Sequence, residues 1–306
     1  MNKPDETLSF QSFEKSPYFS TKYKSYFSIY DKLFSEYRGR ELTFIEVGVL
    51  QGGSLFMWRD FFGPQARIIG IDLNPDAKRW EEHGFEIFIG DQSQPDFWES
   101  FSKKVPSFDI LLDDGGHTNL QQLVTLFEMS KIVSPQGLIV IEDTHTSYQK
   151  EFGNPGRHSF INVSKRLIDN LNLHFDNPNL RRVHPDRIHS IEYFESIVAF
   201  KFGTADKDLN SVLNNHGTHL NNLDFRYANH KALIRNLQKI ENVLSFNYKE
   251  VGRNKTHLRF LNFLVRNVFL KESIRVLLSP IHKLIQSAIS ALLKYETFKF
   301  ISRQNF

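Results

Sequence analysis

The feature that most constrains the fold is a set of five short apolar segments between residues 43 and 144, separated by stretches of helical length. Each segment is rich in β-branched or aromatic residues and carries Gly, Asp or Glu towards its C-terminal end. Strands that alternate with helices form a parallel sheet with helices on both faces. We therefore predict an α/β fold with a doubly wound, mostly parallel sheet. The segments are TFIEVG, RIIGIDL, FEIFIGD, FDILLDDGG and GLIVIEDT.

The polar ends of these segments predict where a ligand binds. In a parallel sheet the carboxyl ends of the strands lie at one edge, and open α/β sheets bind ligands in the crevice beside that edge. The Gly, Asp and Glu residues of all five loops would then line a single crevice. We expect the functional site there.

A predicted helix over residues 160–173 and two adjacent β-segments follow the five strands. The β-segments, HSIEYFE at 189–195 and SIVAFKF at 196–202, have almost no connection between them. This spacing predicts an antiparallel pair that closes the sheet. A parallel sheet that ends in such a pair favours a methyltransferase over a dehydrogenase.

The N-terminal segment, residues 1–40, has aromatic side chains at every third or fourth position, which predicts one aromatic helix face. This face either packs against the central domain or a second subunit, or covers a substrate pocket as a lid. We divide the chain into this segment, a central domain over residues 41–203 and a helical, basic extension over 204–306. The aromatic positions are Tyr23, Phe27, Tyr30, Phe34 and Tyr37.

The C-terminal extension concentrates positive charge. Residues 251–306 contain ten Lys or Arg and two Glu, a net charge of +8. Segments 257–278 and 281–295 have the spacing of amphipathic helices, and another helix is predicted at 227–243. These helices either pack on the central domain or a partner subunit, or attach the protein to an anionic membrane surface.

Composition excludes several kinds of site and partner. The 306 residues include no cysteine, which removes disulfides, thiolate zinc sites and cysteine nucleophiles. The formal net charge is only +3 and the central domain shows no basic face, so we expect no nucleic-acid partner. The first residues lack the features of a signal peptide, and no uncharged apolar run approaches about 18 residues. We expect a cytoplasmic protein.

The loop after the first segment, EVGVLQGGS at 46–54, predicts a nucleoside cofactor. An acid at Glu46 disfavours the pyrophosphate of a dinucleotide and suits the positive charge of S-adenosylmethionine (SAM). Asp72, at the end of the second segment, can accept hydrogen bonds from both ribose hydroxyls. Asp91, after the third, either contacts the adenine or caps the next helix. The predicted cofactor-binding residues are Glu46, Gly48, Gly52, Ser54, Asp72, Asp91, Gln92 and Asp113.

The fourth and fifth segments end in acids and histidines, which predicts a metal site. Carboxylates that meet at adjacent strand ends repel one another unless a cation neutralises them, and oxygen ligands suit Mg²⁺ or another hard divalent ion. Neighbouring side chains on a strand alternate faces, so one acid of each pair should point away. The predicted ligands are Asp114 and Asp143, with Glu142 beside them. His117 is either a general base for a substrate hydroxyl or an exposed or helix-capping histidine.

Together these motifs resemble the class I SAM-dependent methyltransferases. Within them the chain is similar to the metal-dependent sugar O-methyltransferases of macrolide tailoring, of the mycinamicin and macrocin type, and to the cephalosporin hydroxylase-like proteins. The resemblance covers about residues 40–203 and implies the Rossmann-like methyltransferase fold, cofactor contacts at the first three strand ends, a metal at the next two, and His117 as general base. The motifs that carry it are FIEVGVLQGGSLFMW, IIGIDLNP, DILLDDGGH and LIVIEDTHTSY.

The predicted function is that of a SAM-dependent O-methyltransferase, dependent on a divalent metal, which acts on a hydroxyl of a saccharide or glycosylated small molecule. The competing interpretation is a non-catalytic SAM-binding scaffold docked to a membrane or complex through the basic C-terminal helices. Peripheral membrane contact and a homo-oligomer both stay open, and the sequence does not choose the acceptor.

Overall fold

The chain forms two compact units, Met1–Val212 and Leu213–Phe306. The first unit takes in the aromatic N-terminal segment as well as the central domain. The computed structural model describes residues 6–152, 156–172, 184–185 and 187–204 of the first unit and residues 213, 215–218, 232–237, 279–281, 283–285, 287–288 and 291 of the second.

The first unit is built on a seven-stranded sheet with strand order β3-β2-β1-β4-β5-β7-β6. Strands β1 to β5 pair in parallel, whereas β7 is antiparallel to both β5 and β6. The predicted doubly wound, mostly parallel sheet is confirmed. The strands are β1 Leu42–Val47, β2 Ala66–Asp72, β3 Glu86–Ile89, β4 Phe108–Asp113, β5 Val133–Ile141, β6 Ile188–Tyr193 and β7 Val198–Phe202.

Helices cover both faces of this sheet. One apolar layer joins α2 and α3 to alternate strand residues such as Phe44 and Ile110, and the other joins α4, α5 and α6 to Ile45 and Leu111. Because both faces are buried, the central parts of the inner strands are mostly apolar instead of alternating with polar residues. The helices are α1 Leu8–Glu14, α2 Tyr26–Phe34, α3 Gly53–Phe62, α4 Pro95–Lys104, α5 Asn119–Met129 and α6 Phe160–Arg166, with 3₁₀ segments at Ser35–Tyr37, Pro75–His83, Thr144–Tyr148, Lys150–Phe152 and Leu167–Asn172.

The C-terminal part of the sheet also follows the sequence pattern. The helix predicted over residues 160–173 is α6 and the 3₁₀ turn after it. The predicted antiparallel pair is β6 and β7, and β7 inserts between β5 and β6. The hairpin therefore closes the sheet beside the strand end that carries Glu142 and Asp143.

The aromatic N-terminal helix is shorter than its spacing predicts. Helix α2 contains Phe27, Tyr30 and Phe34, but Tyr23 precedes it and Tyr37 lies in the 3₁₀ turn that follows. Tyr23 is 58% exposed, because the chain before α2 is non-helical and crosses the loop after β1 instead of continuing the helix. We refer to residues 16–25 as the strap.

Much of the second unit lies outside the described residues. Within the helix predicted at 227–243, residues 232–237 are helical and the remainder lies outside them. The segment 257–278 also lies outside, whereas the described residues of 281–295 are all helical. Among the described residues, no helix has the length and apolar character needed to cross a bilayer.

Candidate active site

The loop after β1 depends on two glycines with left-handed backbone. Gly48 has a φ of 92° and Gly52 a φ of 79°. A Cβ at Gly48 would collide with the backbone of Asp114, and one at Gly52 with the indole of Trp80. Both positions therefore need glycine for close packing of neighbouring loops as well as for their backbone conformation. The packing places the loop directly beside Asp114.

Asp72 fastens this loop to the end of β2. One carboxylate oxygen accepts hydrogen bonds from the backbone amides of Val49 and Leu50, at 2.9 and 3.0 Å, and the other accepts from Asn74 at 2.8 Å. The side chain also lines a cavity of about 640 Å³, which has Leu50 and Gln51 in its wall. Asp72 thus borders space for a ligand while it orders the loop.

Glu46 lies behind the loop and lines neither this cavity nor the one that contains Asp114. Its carboxylate is fully buried and accepts hydrogen bonds from Ser54 Oγ at 2.8 Å and Trp58 Nε1 at 3.0 Å. Burial raises its pKa to about 7, although Lys22 and the two donors lower it. In this arrangement Glu46 fixes the start of α3, and its predicted contact with a cofactor stays a prediction.

Glu46 should make stability depend on pH. Because its pKa rises from 4.5 in the unfolded chain to about 7 on folding, the folded protein holds this proton more tightly. The stabilisation is complete below pH 4.5 and is lost as pH rises towards 7. We expect this group to lower the free energy of unfolding by up to about 3 kcal/mol over that interval.

Urea unfolding at pH 5, 6 and 7 measures this effect as the difference between wild type and Glu46→Gln. Between pH 5 and 7, the free energy of unfolding should fall much less in Glu46→Gln than in wild type. In Glu41→Gln, a change at an exposed position before β1, it should fall as much as in wild type. Identical pH profiles for wild type and Glu46→Gln would contradict the assignment.

Three of the predicted cofactor residues support the loops after β3 and β4. Asp91 accepts a hydrogen bond from the Ser93 amide at 2.8 Å, which is a turn contact; the N-cap of α4 is Gln94, so Asp91 does not cap that helix. Gln92 is buried, donates to both oxygens of Asp113 and accepts from the Gly116 amide. Burial also raises the pKa of Asp113. None of the three lines either cavity.

A second cavity, of about 460 Å³, contains the predicted metal ligands. One ligand atom from each of Asp114, His117 and Asp143 lies within 4.8 Å of the others, and His117 Nε2 is 3.4 Å from Asp143 Oδ2. His117 and Asp143 have φ values of 58° and 54°. Positive φ is uncommon for residues other than glycine and is concentrated at functional sites.

The expectation that one acid of each pair points away holds for the first pair only. Asp113 turns to Gln92 while Asp114 lines the cavity, but Glu142 and Asp143 both line it. The second pair departs from alternation because β5 ends at Ile141, and the left-handed backbone of Asp143 turns its side chain back to the cavity.

Glu142 is held by two side chains from the N-terminal segment. Tyr30 donates a hydrogen bond to Oε1 at 2.5 Å, and Lys22 donates to Oε2 at 3.2 Å. Burial raises the pKa of Glu142 well above its usual range, and the charge of Lys22 opposes that rise. Glu142 is therefore a neighbour of the three-residue cluster, and its predicted contact with a metal stays a prediction.

The strap and α2 supply the functional side chains that the sequence analysis missed. Lys22 also bonds to Asp114 Oδ2 at 2.5 Å, and the Tyr26 hydroxyl donates to Asp143 Oδ1 at 2.5 Å. Burial alone would lower the pKa of Lys22, but the neighbouring carboxylates outweigh it and the pKa is raised. The available signal was a tyrosine, which carries a hydroxyl, in place of phenylalanine at Tyr30 on the predicted aromatic face and at Tyr26 beside it. The sequence had no such signal for Lys22.

Comparison with known proteins agrees with this geometry. Residues 45–144 match a family model described as a methyltransferase domain. This part of the chain is similar to methyltransferase domains. The matched residues include the end of β1, the strands β2 to β5, the glycine-rich loop and the cluster of Asp114, His117 and Asp143, so the resemblance drawn from the motifs is confirmed.

Curated relatives and a solved structure give the same result. Demethylmacrocin O-methyltransferase of Streptomyces fradiae is 34% identical over 46% of this chain and 38% of its own length. Mycinamicin VI 2''-O-methyltransferase of Micromonospora griseorubida is 35% identical over 40% of this chain and 32% of its own. MycE methyltransferase of the mycinamycin pathway, solved with Mg and SAH, has a TM-score of 0.58 and 28% identity over 68% of this chain and 56% of MycE. The chain thus spans about two fifths or less of the length of these two curated relatives. The fold that it shares with MycE is the Rossmann-like methyltransferase fold.

The residues present fit both a divalent ion and a nucleoside cofactor. Two carboxylates and an imidazole that face one cavity form a donor set suited to Mg²⁺ or a similar hard ion. Leu50 and Gln51 line both cavities, so the glycine-rich loop borders the space beside Asp72 as well as the space beside Asp114.

Proposed function

We propose that this protein is a SAM-dependent O-methyltransferase that requires a divalent ion such as Mg²⁺ and acts on a hydroxyl of a sugar or glycosylated small molecule. The observation that carries the proposal is the convergence of Asp114, His117 and Asp143 in a cavity that the glycine-rich loop borders. The likeness to MycE, solved with Mg and SAH, supports both cofactors.

When bound, SAM would supply an electrophilic methyl group as its S–CH₃ bond breaks, and the ion would lower the pKa of the acceptor hydroxyl and orient it. Asp114 and Asp143 would hold the ion. His117, whose Nε2 lies beside Asp143, takes the hydroxyl proton as general base. The positive φ at His117 and Asp143 agrees with a functional role for both residues, because uncommon backbone conformations are concentrated at functional sites.

The predicted cofactor residues divide into two groups in this proposal. Gly48, Ser54 and Asp72 border the cavities and contact SAM directly. The other predicted residues line neither cavity and act through the loops that they shape: Glu46, Gly52, Asp91, Gln92 and Asp113.

A glycosylated acceptor is supported by the relatives. One curated relative is named for mycinamicin VI, and a MycE structure contains Mycinamycin VI together with Mg and SAH. Phe19 and Tyr23, 63% and 58% exposed, line the cavity and offer aromatic surface to an acceptor. Cytoplasmic location, a homo-oligomer and membrane contact through the C-terminal helices stay predictions. A scaffold without catalysis is not favoured, because the acids and His117 converge in one cavity.

Two measurements test the proposed function. SAM should raise the melting temperature and NAD should not, because the loop lacks the glycine pattern that holds a pyrophosphate. A screen of glycosylated small molecules and saccharides should then find methyl transfer from SAM that EDTA abolishes. Stabilisation by NAD without stabilisation by SAM would rule out the methyltransferase assignment.

A further inference from the structure

Lys22 is a buried cation within the carboxylate cluster. Its side chain is 2% exposed, and its ammonium lies 2.5 Å from Asp114 Oδ2 and 3.2 Å from Glu142 Oε2. It also lies 5.8 Å from the centre of the Tyr30 ring, close enough for a cation–π contribution. A lysine buried to this extent is held by its charge partners, since burial of an unpaired ammonium is costly.

The strap that carries Lys22 is also attached to the start of α3, directly after the glycine-rich loop. Ser16 Oγ donates to the Gly53 carbonyl at 2.7 Å, and a Cβ at Gly53 would collide with the carbonyl oxygens of Tyr18 and Phe19. From this anchor the strap runs along the cavity and contributes Phe19 to Tyr23 to its wall. Lys22 therefore forms the second attachment of the strap, at the acids.

We propose that Lys22 is a positioning residue that serves as a built-in counter-ion of the carboxylate cluster. Before a divalent ion binds, Lys22 holds Asp114 and Glu142 together. When the ion binds, Lys22 competes with it for Asp114. This inference rests on the proposed function, since the divalent ion is part of it. Glu142 lines the same cavity, but its two oxygens are engaged by Tyr30 and Lys22 while no ion is bound, so Asp114 and Asp143 are the carboxylates proposed to hold the ion.

Two opposite consequences follow when the charge of Lys22 is removed. Without an ion, Asp114 and Glu142 lose a buried partner, so the protein becomes less stable. With an ion, a positive charge that shares Asp114 with it is gone, so the ion binds more tightly. A residue that only packed the strap would reduce stability without tightening ion binding.

The test compares Lys22→Met with Lys24→Met, an exposed lysine of the same strap. Mn²⁺ binding to the full chain is measured by calorimetry, and melting temperature with and without Mn²⁺, in both cases without SAM or acceptor. We expect Lys22→Met to lower the ion-free melting temperature by at least about 5 °C. We also expect the Kd for Mn²⁺ to fall roughly tenfold. Lys24→Met should match wild type in both.

Equal or weaker Mn²⁺ binding by Lys22→Met, or no binding by either protein, would overturn the proposal. If Lys22→Met does not fold, the double variant Lys22→Met/Glu142→Gln should fold, because it also removes the more deeply buried of the two carboxylates that lost the ammonium. Failure of the double variant as well would show that Lys22 acts through packing and would overturn the proposal. Loss of SAM binding or methyl transfer in wild type counts against the proposed function alone.

Discussion

Replacement of His117 by Ala is expected to lower kcat for methyl transfer by about 10²–10⁴, the usual contribution of a general base. The hydroxyl must lose its proton as the methyl group arrives, and His117 Nε2, 3.4 Å from Asp143 Oδ2, is the nitrogen beside the proposed ligands. The affinity for SAM should change little, because the variant keeps Gly48, Ser54 and Asp72, which are proposed to contact SAM. Steady-state kinetics and thermal shift with SAM measure the two quantities.

The matched control is His145→Ala. His145 lies on the other side of Asp143, 3.9 Å from Oδ1, and its Nδ1 is hydrogen-bonded to Ser196 Oγ at 2.5 Å. The His145→Ala variant should retain most of the activity. If His145→Ala loses activity and His117→Ala does not, the base belongs to the loop after β5. A loss of Mn²⁺ affinity in His117→Ala, as large as the loss in kcat, would instead make His117 a ligand. Rescue of the kcat of His117→Ala by added imidazole would support the assignment of His117 as the general base.

Neutralisation of either proposed metal ligand should abolish metal-dependent methyl transfer. Asp114→Asn and Asp143→Asn keep the size of the side chain, and in the second variant the new amide oxygen can still accept from Tyr26, but each removes one negative charge from the donor set. We expect activity with Mg²⁺ to fall at least about 100-fold, since ligand charge and geometry govern both ion binding and activation of the hydroxyl. SAM affinity should be largely spared.

Asp76→Asn controls for a general effect of lost negative charge. Asp76 lies at the start of the 3₁₀ segment after β2, and its side chain is 71% exposed. This variant should behave as wild type in Mn²⁺ calorimetry and in the methyl-transfer assay. Full wild-type activity in EDTA, or unchanged Mn²⁺ affinity in both ligand variants, would refute the metal assignment.

Much of the first unit could be predicted from sequence because its signals are local. The apolar segments gave the parallel strands, and residues 189–202 gave the closing hairpin. The glycines at 48 and 52 marked the turn that brings the loop after β1 beside Asp114. Helix α2 was predicted too long, because the spacing of aromatic residues continues past the point where the strap leaves helical conformation.

The sequence by itself determined that acids and histidines from the ends of β4 and β5 would meet at one edge of a sheet, since parallel strands bring their carboxyl ends together. Only the tertiary structure decided which acids face the cavity. Asp113 turns to Gln92, whereas Asp143 turns inward through a left-handed backbone that no local pattern predicts.

The tertiary structure also decided what neutralises the acids. Lys22 is 92 residues from Asp114 and 120 from Glu142 along the chain, and Tyr26 and Tyr30 are similarly distant from their partners. The sequence predicted that so many carboxylates need a cation, because their repulsion is a general property of charge. It did not show that the N-terminal segment supplies one, because that contact depends on how the strap packs across the loop after β1.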